Sequence, residues 1–174
     1  MIIKKGAEAD LYLEDFKNVF GFDFYNEKVV IKKRVKKNYR INEIDNMIRG
    51  YRTVKEAKII NKAKISGVHS PTLYLVDLKE KSIIMEYIDG IRLKEYFSSK
   101  GLDTEIGFQI GKSVGALHKI GIIHGDLTTS NMILYDKKVY FIDFGLSEES
   151  EEIEKQGIDL HLLKIGRASC RERV

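Results

Sequence analysis

Three polar residues in the second half of the sequence have the types and spacing that phosphoryl transfer requires. Asp126 and Asn131 lie in the segment HGDLTTSN, and Asp143 lies in FIDFG. An aspartate in a loop can orient an attacking hydroxyl or water, and amide and carboxylate oxygens are suitable ligands for Mg²⁺. The pattern predicts an ATP and Mg²⁺ site in which Asp126 is catalytic and Asn131 and Asp143 bind the metal. We attribute the turn that presents Asp143 to the glycine at position 145.

Apolar periodicity predicts the elements that position these residues. The helix after residue 103 has apolar residues at 106, 110, 114 and 117, which is the stripe of an amphipathic helix. Breakers and β-branched runs predict strands at 1–5, 10–16, 28–34, 72–78, 81–88, 132–135 and 139–142. The predicted helices cover 42–66, with Gly67 as the stop signal, then 93–99, 103–119 and a last helix from about Ile158.

This order of elements predicts an α+β fold with a small β-rich N-lobe and a reduced helical C-lobe, and the motif resemblance given below implies that the fold is protein-kinase-like. We place the N-lobe at 1–87 and the C-lobe, which we expect to be truncated, at 88–164. The last ten residues, IGRASCRERV (165–174), match the translation of a sequencing adapter and contain the only cysteine. We interpret them as an artefact.

Composition narrows the class of protein. The chain has 174 residues, a formal net charge of +4 and no cysteine before the last ten residues. No apolar run approaches the ~20 residues that span a bilayer, and no signal peptide is evident. We expect a cytoplasmic protein without disulfides and without a membrane partner.

A wider set of motifs gives a family resemblance. GAEA near the N-terminus, VVIKKRVKKNYR, RTVKEA, HGDLTTSNMIL and DFGLS followed by GIDL resemble the small kinase subunits of KEOPS complexes. These PRPK-type proteins are atypical serine/threonine kinases related to the RIO kinases. The resemblance extends over residues 1 to about 164.

The resemblance implies further site residues. Lys32 and Glu56 would act with Asp126 in catalysis, as the strand lysine that contacts the phosphates and its helix partner. His124 and Asp159 would support the catalytic loop. The ATP-binding set would be Lys32 with the phosphate-covering loop Gly6, Ala7, Glu8 and Ala9 and the adenine-binding hinge Met85, Glu86, Tyr87 and Ile88.

The implied activity is ATP hydrolysis and serine/threonine phosphorylation with ATP and Mg²⁺. It would support N6-threonylcarbamoyladenosine modification of tRNA, beside a TsaD-like threonylcarbamoyl transferase and other KEOPS subunits. Aminoglycoside-type phosphotransferases share the HGD string, so a small-molecule kinase is one alternative, and a non-catalytic scaffold is another.

Two departures from regulated protein kinases affect the expected control. Gly125 stands where those kinases have an arginine before the catalytic aspartate, and no APE motif follows DFG. We therefore expect no control by an activation loop. The run KKRVKKNYR (32–40) is either a solvated loop or a basic edge for tRNA or an acidic partner surface.

Overall fold

The computed structural model describes residues 1–22 and 28–171 and divides the chain into two compact units. The first unit comprises 1–58 and 71–87, and the second comprises 59–70 and 88–174. The segment 59–70, which the sequence analysis placed in the N-lobe, groups with the second unit. Residues 172–174 of the proposed artefact lie outside the described residues.

The first unit is built on a five-stranded antiparallel sheet, as predicted. Its strands are β1 (Ile2–Lys5), β2 (Ala9–Asp15), β3 (Lys28–Arg34), β4 (Leu73–Asp77) and β5 (Ser82–Glu86). Their order is β1-β2-β3-β5-β4, which makes β3 the central strand. The alternation of side chains gives β3 two faces, one with Val29 and Ile31 and the other with Val30.

A short helix that the sequence analysis missed follows β2. The predicted strand 10–16 ends at Asp15, and Phe16 begins helix α1 (Phe16–Phe20). Phe16 packs against Val29 and Ile84, and its ring centroid lies 5.3 Å from that of Tyr74. Packing this ring against the sheet stabilises the helix.

Helix α2 (Asn42–Ile65) carries a buried face and ends where predicted. Residues 56, 59, 60 and 63 are all buried and lie on one face of the helix. Gly67 has φ of 88° and the Val68 N–H donates to the Ala63 carbonyl at 3.1 Å. This bond satisfies one of the terminal carbonyls and ends the helix.

Besides the end of α2 and a short 3-10 helix (Thr129–Asn131), the described part of the second unit contains three α-helices and short strand pairs. The helices are α3 (Leu93–Lys100), α4 (Thr104–Lys119) and α5 (Ile153–Arg171). The strands are β6 (Ile91–Arg92), β7 (Ile122–Ile123), β8 (Met132–Tyr135), β9 (Lys138–Phe141) and β10 (Glu148–Glu149). β6, β8 and β9 form one sheet in that order, and β7 pairs with β10.

Among the helices of this unit, α4 agrees best with its prediction from the sequence. Asp103 caps it by accepting hydrogen bonds from the N–H groups of Glu105 and Ile106 at 2.9 and 3.2 Å. The predicted apolar stripe is buried throughout. None of the helices in the described part of the chain combines the length and apolar character needed to cross a membrane.

Candidate active site

The first unit brings Lys32 and Glu56 together in a buried ion pair. Lys32 lies on β3 and Glu56 on α2, and Lys32 Nζ lies 2.6 Å from Glu56 Oε1. The two side chains are 9% and 2% exposed. Charges this deeply buried are tolerated only when they are paired and hydrogen-bonded. The pairing that the resemblance implied is present, while its role in catalysis stays a prediction.

Arg34 is a second buried cation on the same carboxylate, and the sequence analysis did not identify it. Its Nη2 donates to Glu56 Oε2 at 2.6 Å and to the Arg52 carbonyl at 3.2 Å. Arg34 lies two positions after Lys32 on β3, so both side chains project from the same face. That spacing was a usable signal, but it was hidden in the run of basic residues.

The basic run 32–40 forms internal contacts along most of its length. Lys33 pairs with Glu80 at 2.5 Å, and Lys37 Nζ donates to the Ala7 carbonyl. The last cation of the run, Arg40, pairs with Asp45 at 3.6 Å and lies over the Tyr39 ring. Residues 32–34 belong to β3, with Lys32 and Arg34 buried, so the solvated-loop interpretation does not hold for this part of the run, and the basic edge for tRNA or an acidic partner surface stays a prediction.

Asp45 anchors the end of that run to α2. It is fully buried and accepts hydrogen bonds from Arg49 Nε at 2.7 Å and from the Lys37 N–H at 3.3 Å. Burial alone would raise the pKa of Asp45, but the hydrogen bonds and the charges of Arg49 and Arg40 outweigh it and lower the pKa. The carboxylate therefore stays ionised at neutral pH.

The predicted phosphate-covering loop is held by its own polar contacts. The Gly6 N–H donates to Asp10 Oδ1 at 3.3 Å, and a Cβ at position 6 would lie 2.6 Å from the Ala9 carbonyl oxygen. Glu8 Oε2 lies 2.5 Å from Arg52 Nη1 on α2. Glu8 was expected near the nucleotide, and in this structure its carboxylate is engaged by Arg52.

The predicted hinge residues lie where β5 ends. Met85 is buried, and the Glu86 carboxylate accepts hydrogen bonds from the N–H and hydroxyl of Thr72 at 2.8 and 2.7 Å. The Tyr87 N–H donates to the Lys28 carbonyl at 3.4 Å. Ile88, which is buried, begins the second segment of the second unit. The Glu86 N–H also donates to the Thr72 carbonyl at 2.8 Å, so Thr72 engages both the side chain and the backbone N–H of Glu86.

In the second unit, the loop HGDLTTSN forms a closed hydrogen-bonded turn around Asp126. The Asn131 Nδ2 donates to the Asp126 carbonyl at 2.9 Å and to Asp126 Oδ2 at 2.8 Å. Both partners can only accept, so the amide nitrogen of Asn131 must face Asp126. Its Oδ1, the atom that a cation would bind, is consequently turned away from Asp126.

Asp143 lies two residues after β9, is exposed and has a left-handed backbone conformation. Its φ is 63°, and the Gly145 N–H donates to Asp143 Oδ1 at 3.3 Å. The turn that we attributed to the glycine is thus made at Asp143 itself, because an aspartate tolerates this conformation and can hydrogen-bond to nearby backbone. Just before it, the Ile142 N–H donates to the Asn131 carbonyl at 2.9 Å, which joins the two predicted metal ligands through the backbone.

Asp159 on α5 fixes the backbone immediately before Asp126. It is 1% exposed and accepts hydrogen bonds from the N–H groups of His124 and Gly125 at 2.8 and 2.9 Å. His118 Nε2 lies 3.1 Å from the same carboxylate. α5 begins at Ile153, earlier than predicted, and so delivers Asp159 from its second turn.

His124 is buried among aromatic rings and contacts the loop through one ring nitrogen. The Asp126 N–H points at its Nδ1 from 3.4 Å, and its ring centroid lies 4.9 Å from that of Phe144. Its Nε2 has no hydrogen-bond partner among the described residues. Burial lowers the pKa of His124, although Asp159, Asp143 and Asp126 oppose the shift. The neutral ring fits the structural role that the sequence analysis assigned.

The segment after Asp143 is fastened to the strand before the catalytic loop. The Ser147 hydroxyl donates to the His124 carbonyl at 2.7 Å, and β10 pairs with β7. The Ser150 N–H donates to the Gly121 carbonyl at 2.8 Å. Sequence reasoning missed both serines, because a lone serine in an acidic stretch carries no spacing signal.

The donor set fits Mg²⁺ bound together with phosphates. In the described residues, no group of three or more His, Cys, Asp or Glu side chains is arranged to hold a metal ion. Mg²⁺ does not need such a cage, because it commonly takes one or two protein oxygens and completes its octahedron with phosphate and water. Asn131 and Asp143, the predicted ligands, would supply one amide and one carboxylate oxygen of that kind.

Comparison with known proteins agrees with this description. Residues 16–156 match the RIO domain. The chain is 52% identical over 165 residues to "KEOPS complex subunit Bud32" of Pyrococcus abyssi, and the match covers 94% of this chain and 74% of that protein. It is 44% identical to the "Probable bifunctional tRNA threonylcarbamoyladenosine biosynthesis protein" of Methanothermobacter thermautotrophicus, covering 94% of this chain and 28% of that protein.

Among solved structures, the chain is similar to the Rio2 kinase of Chaetomium thermophilum, which was crystallised as an ADP/Mg²⁺–phosphoaspartate complex. The TM-score is 0.75 at 14% identity, and the match covers 99% of this chain and 55% of that one. At this identity the similarity shows the fold, which confirms the predicted α+β kinase-like class. The resemblance inferred from the motifs is confirmed as well: this chain belongs to the RIO domain family and, within it, to the Bud32 group represented by the Pyrococcus abyssi protein.

Proposed function

We propose that this chain is an ATP- and Mg²⁺-dependent atypical kinase and ATPase that supports N6-threonylcarbamoyladenosine modification of tRNA within a KEOPS-type complex. The observation that carries the kinase part is the buried Lys32–Glu56 pair. A buried ion pair stabilises a fold little better than apolar residues would, so its presence favours a chemical role.

The residues of each unit have distinct tasks in this proposal. Lys32, oriented by Glu56, binds phosphate oxygens of ATP, and the 6–9 loop covers them. Backbone groups of the 85–88 hinge bind adenine. Mg²⁺, when bound, neutralises charge that develops on the phosphates.

Asp126 orients the hydroxyl or water that attacks the terminal phosphate, while Asn131 and Asp143 hold the metal ion. The hydrogen bonds from Asn131 to Asp126 support these assignments, because they fix the Asp126 carboxylate before any substrate binds. Catalysis then consists mainly of positioning and of charge stabilisation. A serine or threonine hydroxyl is the acceptor that we propose, with water as the acceptor in ATP hydrolysis.

The cellular part of the proposal is supported by the relatives. The Pyrococcus abyssi protein is named as a KEOPS subunit, and the bifunctional archaeal protein is named for threonylcarbamoyladenosine biosynthesis in tRNA. We propose a TsaD-like transferase subunit as the direct partner, and contact with tRNA through the complex.

The test is ATP turnover with Mg²⁺, measured with and without the transferase subunit and tRNA, in wild type and in D126N. The matched control is D136N, an exposed turn aspartate of the same unit. We expect D126N to lose most turnover, since removing a catalytic base costs about 10²–10⁴-fold, and we expect D136N to keep it.

Equal turnover in wild type and D126N would refute the catalytic assignment and leave the scaffold alternative. Phosphorylation of an aminoglycoside in preference to protein hydroxyls would instead favour the small-molecule alternative. Stimulation by the transferase and tRNA would support the cellular assignment, and its absence would count against it.

A further inference from the structure

The loop 6–9, which joins β1 to β2, is attached to the chain that follows β3. The Val35 N–H donates to the Glu8 carbonyl at 3.2 Å, and Lys37 Nζ donates to the Ala7 carbonyl. Both bonds go to the loop backbone, so they hold it whatever side chains the loop carries. The loop thus has a defined position before any ligand binds.

The register of the sheet places this loop close to Lys32. In the pairing of β2 with β3, Leu11 lies opposite Lys32, and Ala9 lies opposite Arg34. Two strand residues span roughly 7 Å, so the loop ends about that far along the sheet from the level of Lys32. A loop at this distance can cover phosphates that Lys32 binds.

Arg52 attaches the same loop to helix α2. Arg52 Nη1 lies 2.5 Å from Glu8 Oε2, and the two side chains are 38% and 51% exposed. The Arg52 carbonyl accepts a hydrogen bond from Arg34, whose guanidinium also donates to Glu56. Glu56, the partner of Lys32, lies one turn after Arg52 on α2. Polar contacts therefore run without a break from the loop through α2 to the Lys32–Glu56 pair.

The Glu8–Arg52 pair contributes little to the stability of the fold. Water screens an ion pair whose partners are both partly exposed, and many such pairs add nothing measurable to the free energy of unfolding. Position is what the pair determines. A loop that is fixed before its ligand arrives loses less conformational freedom on binding, which increases affinity. The geometry therefore favours a role in ligand binding.

We propose that Arg52 is a positioning residue for nucleotide binding: through Glu8 it holds the 6–9 loop over the phosphates and ties this loop to α2, the helix that carries Glu56. This inference rests on the proposed function, since the ligand is the nucleotide. Arg52 acts through Glu8 and does not itself touch the phosphates.

The experiment titrates R52Q, E8Q and the double variant E8Q/R52Q calorimetrically with ADP and Mg²⁺. R52Q removes the charge that binds Glu8 and keeps the backbone carbonyl that Arg34 binds. The matched control is K33Q. It breaks the ion pair of Lys33 with Glu80, which is also 2.5 Å long and exposed, and which lies in the same unit.

We expect R52Q and E8Q each to raise the Kd for ADP about fivefold, the upper end of what a partly exposed ion pair contributes. The double variant should bind as R52Q does, because the two side chains act as one unit, and K33Q should stay within about twofold of wild type. A Kd for R52Q at or below that of wild type would overturn the role of Arg52. So would an additive loss of about 25-fold in the double variant, since Glu8 and Arg52 would then act separately.

Two readouts without nucleotide separate position from stability. The Val35 amide, which donates to the Glu8 carbonyl, should exchange about fivefold faster in R52Q, and the charge-exchanged variant E8R/R52E should restore its protection. Unchanged exchange in R52Q would overturn the proposal. The urea midpoints of R52Q and K33Q should agree, and a clearly lower midpoint for R52Q would mean that Arg52 serves stability instead. Failure of wild type to bind ADP would refute the proposed function itself, and this inference with it, even if Val35 responded as expected.

Discussion

Replacing Asp159 by asparagine should loosen the catalytic loop without removing any residue from it. The Asp159 carboxylate accepts the N–H groups of His124 and Gly125, which immediately precede Asp126 in the chain. The asparagine has nearly the same shape, but one of its two terminal atoms is a donor. Whichever way the amide is oriented, one of the two backbone N–H groups then faces another donor.

The expected acceleration of amide exchange depends on how many backbone N–H groups lose their acceptor. One buried N–H loses its acceptor, at a cost of about 1–3 kcal/mol, and 2 kcal/mol corresponds to roughly a 30-fold change in an opening equilibrium. The His118 contact at 3.1 Å can survive in either orientation of the amide, because the imidazole Nε2 donates or accepts according to its tautomer. We therefore expect one of the two amides, at 124 or at 125, to exchange about 30-fold faster in D159N than in wild type.

Hydrogen exchange followed by NMR measures this directly, with the amide of Ile110 in α4 as an internal reference for global stability. ATP turnover should fall in D159N, because Asp126 loses its fixed position. Unchanged protection at both amides would refute the argument that Asp159 holds the loop, whatever happened to turnover. Equal acceleration at the reference amide would mean that the variant is destabilised as a whole.

Three further predictions concern stability. E56A should lower the free energy of unfolding in urea by about 3–5 kcal/mol, because two buried cations lose their shared partner, and a loss below about 1 kcal/mol would contradict the buried pairing. In thermal unfolding, G125A should lower the free energy of unfolding by more than about 2 kcal/mol, because its Cβ would lie 2.5 Å from a carbonyl oxygen. G67A is also at positive φ but has open space around it, so it should lower the free energy of unfolding by only about 1 kcal/mol. Burial lowers the pKa of His124, so below the ordinary pKa of histidine the unfolded chain binds a proton that the folded chain does not. As the pH is lowered through this range, the free energy of unfolding should decrease by up to about 1.4 kcal/mol per pH unit. H124Q should show a flatter dependence of stability on pH.

Elements with a clear period were predictable from the sequence. The stripe of α4, the glycine stop after α2 and the five strands of the first unit all follow from local patterns. The two-residue strands β6, β7 and β10 were not predicted, because two residues carry no period. Their pairing is decided by partners that are distant in the sequence.

The same limit applies to the candidate site. Residues in recognisable motifs could be predicted, whereas residues whose contacts depend on a partner distant in the sequence could not. The spacing of HGDLTTSN and FIDFG predicted Asp126, and the family resemblance supplied Lys32 and Glu56, which the structure pairs while their catalytic roles stay predictions. Neither of them identified Arg34, whose burial depends on the position of α2 beside β3. Nor did they identify Arg52 as the partner of Glu8, since such an ion pair has no sequence signature.

The close approach at Gly125 links the loop that contains Asp126 to residues 146–150. Any side chain at this position would collide with the Leu146 carbonyl, whose segment is held by the β7–β10 pairing. The arginine that phosphorylation-controlled kinases carry here would therefore require residues 146–150 to detach. A chimaera that introduces the arginine at 125 without also replacing residues 146–150 should therefore misfold locally.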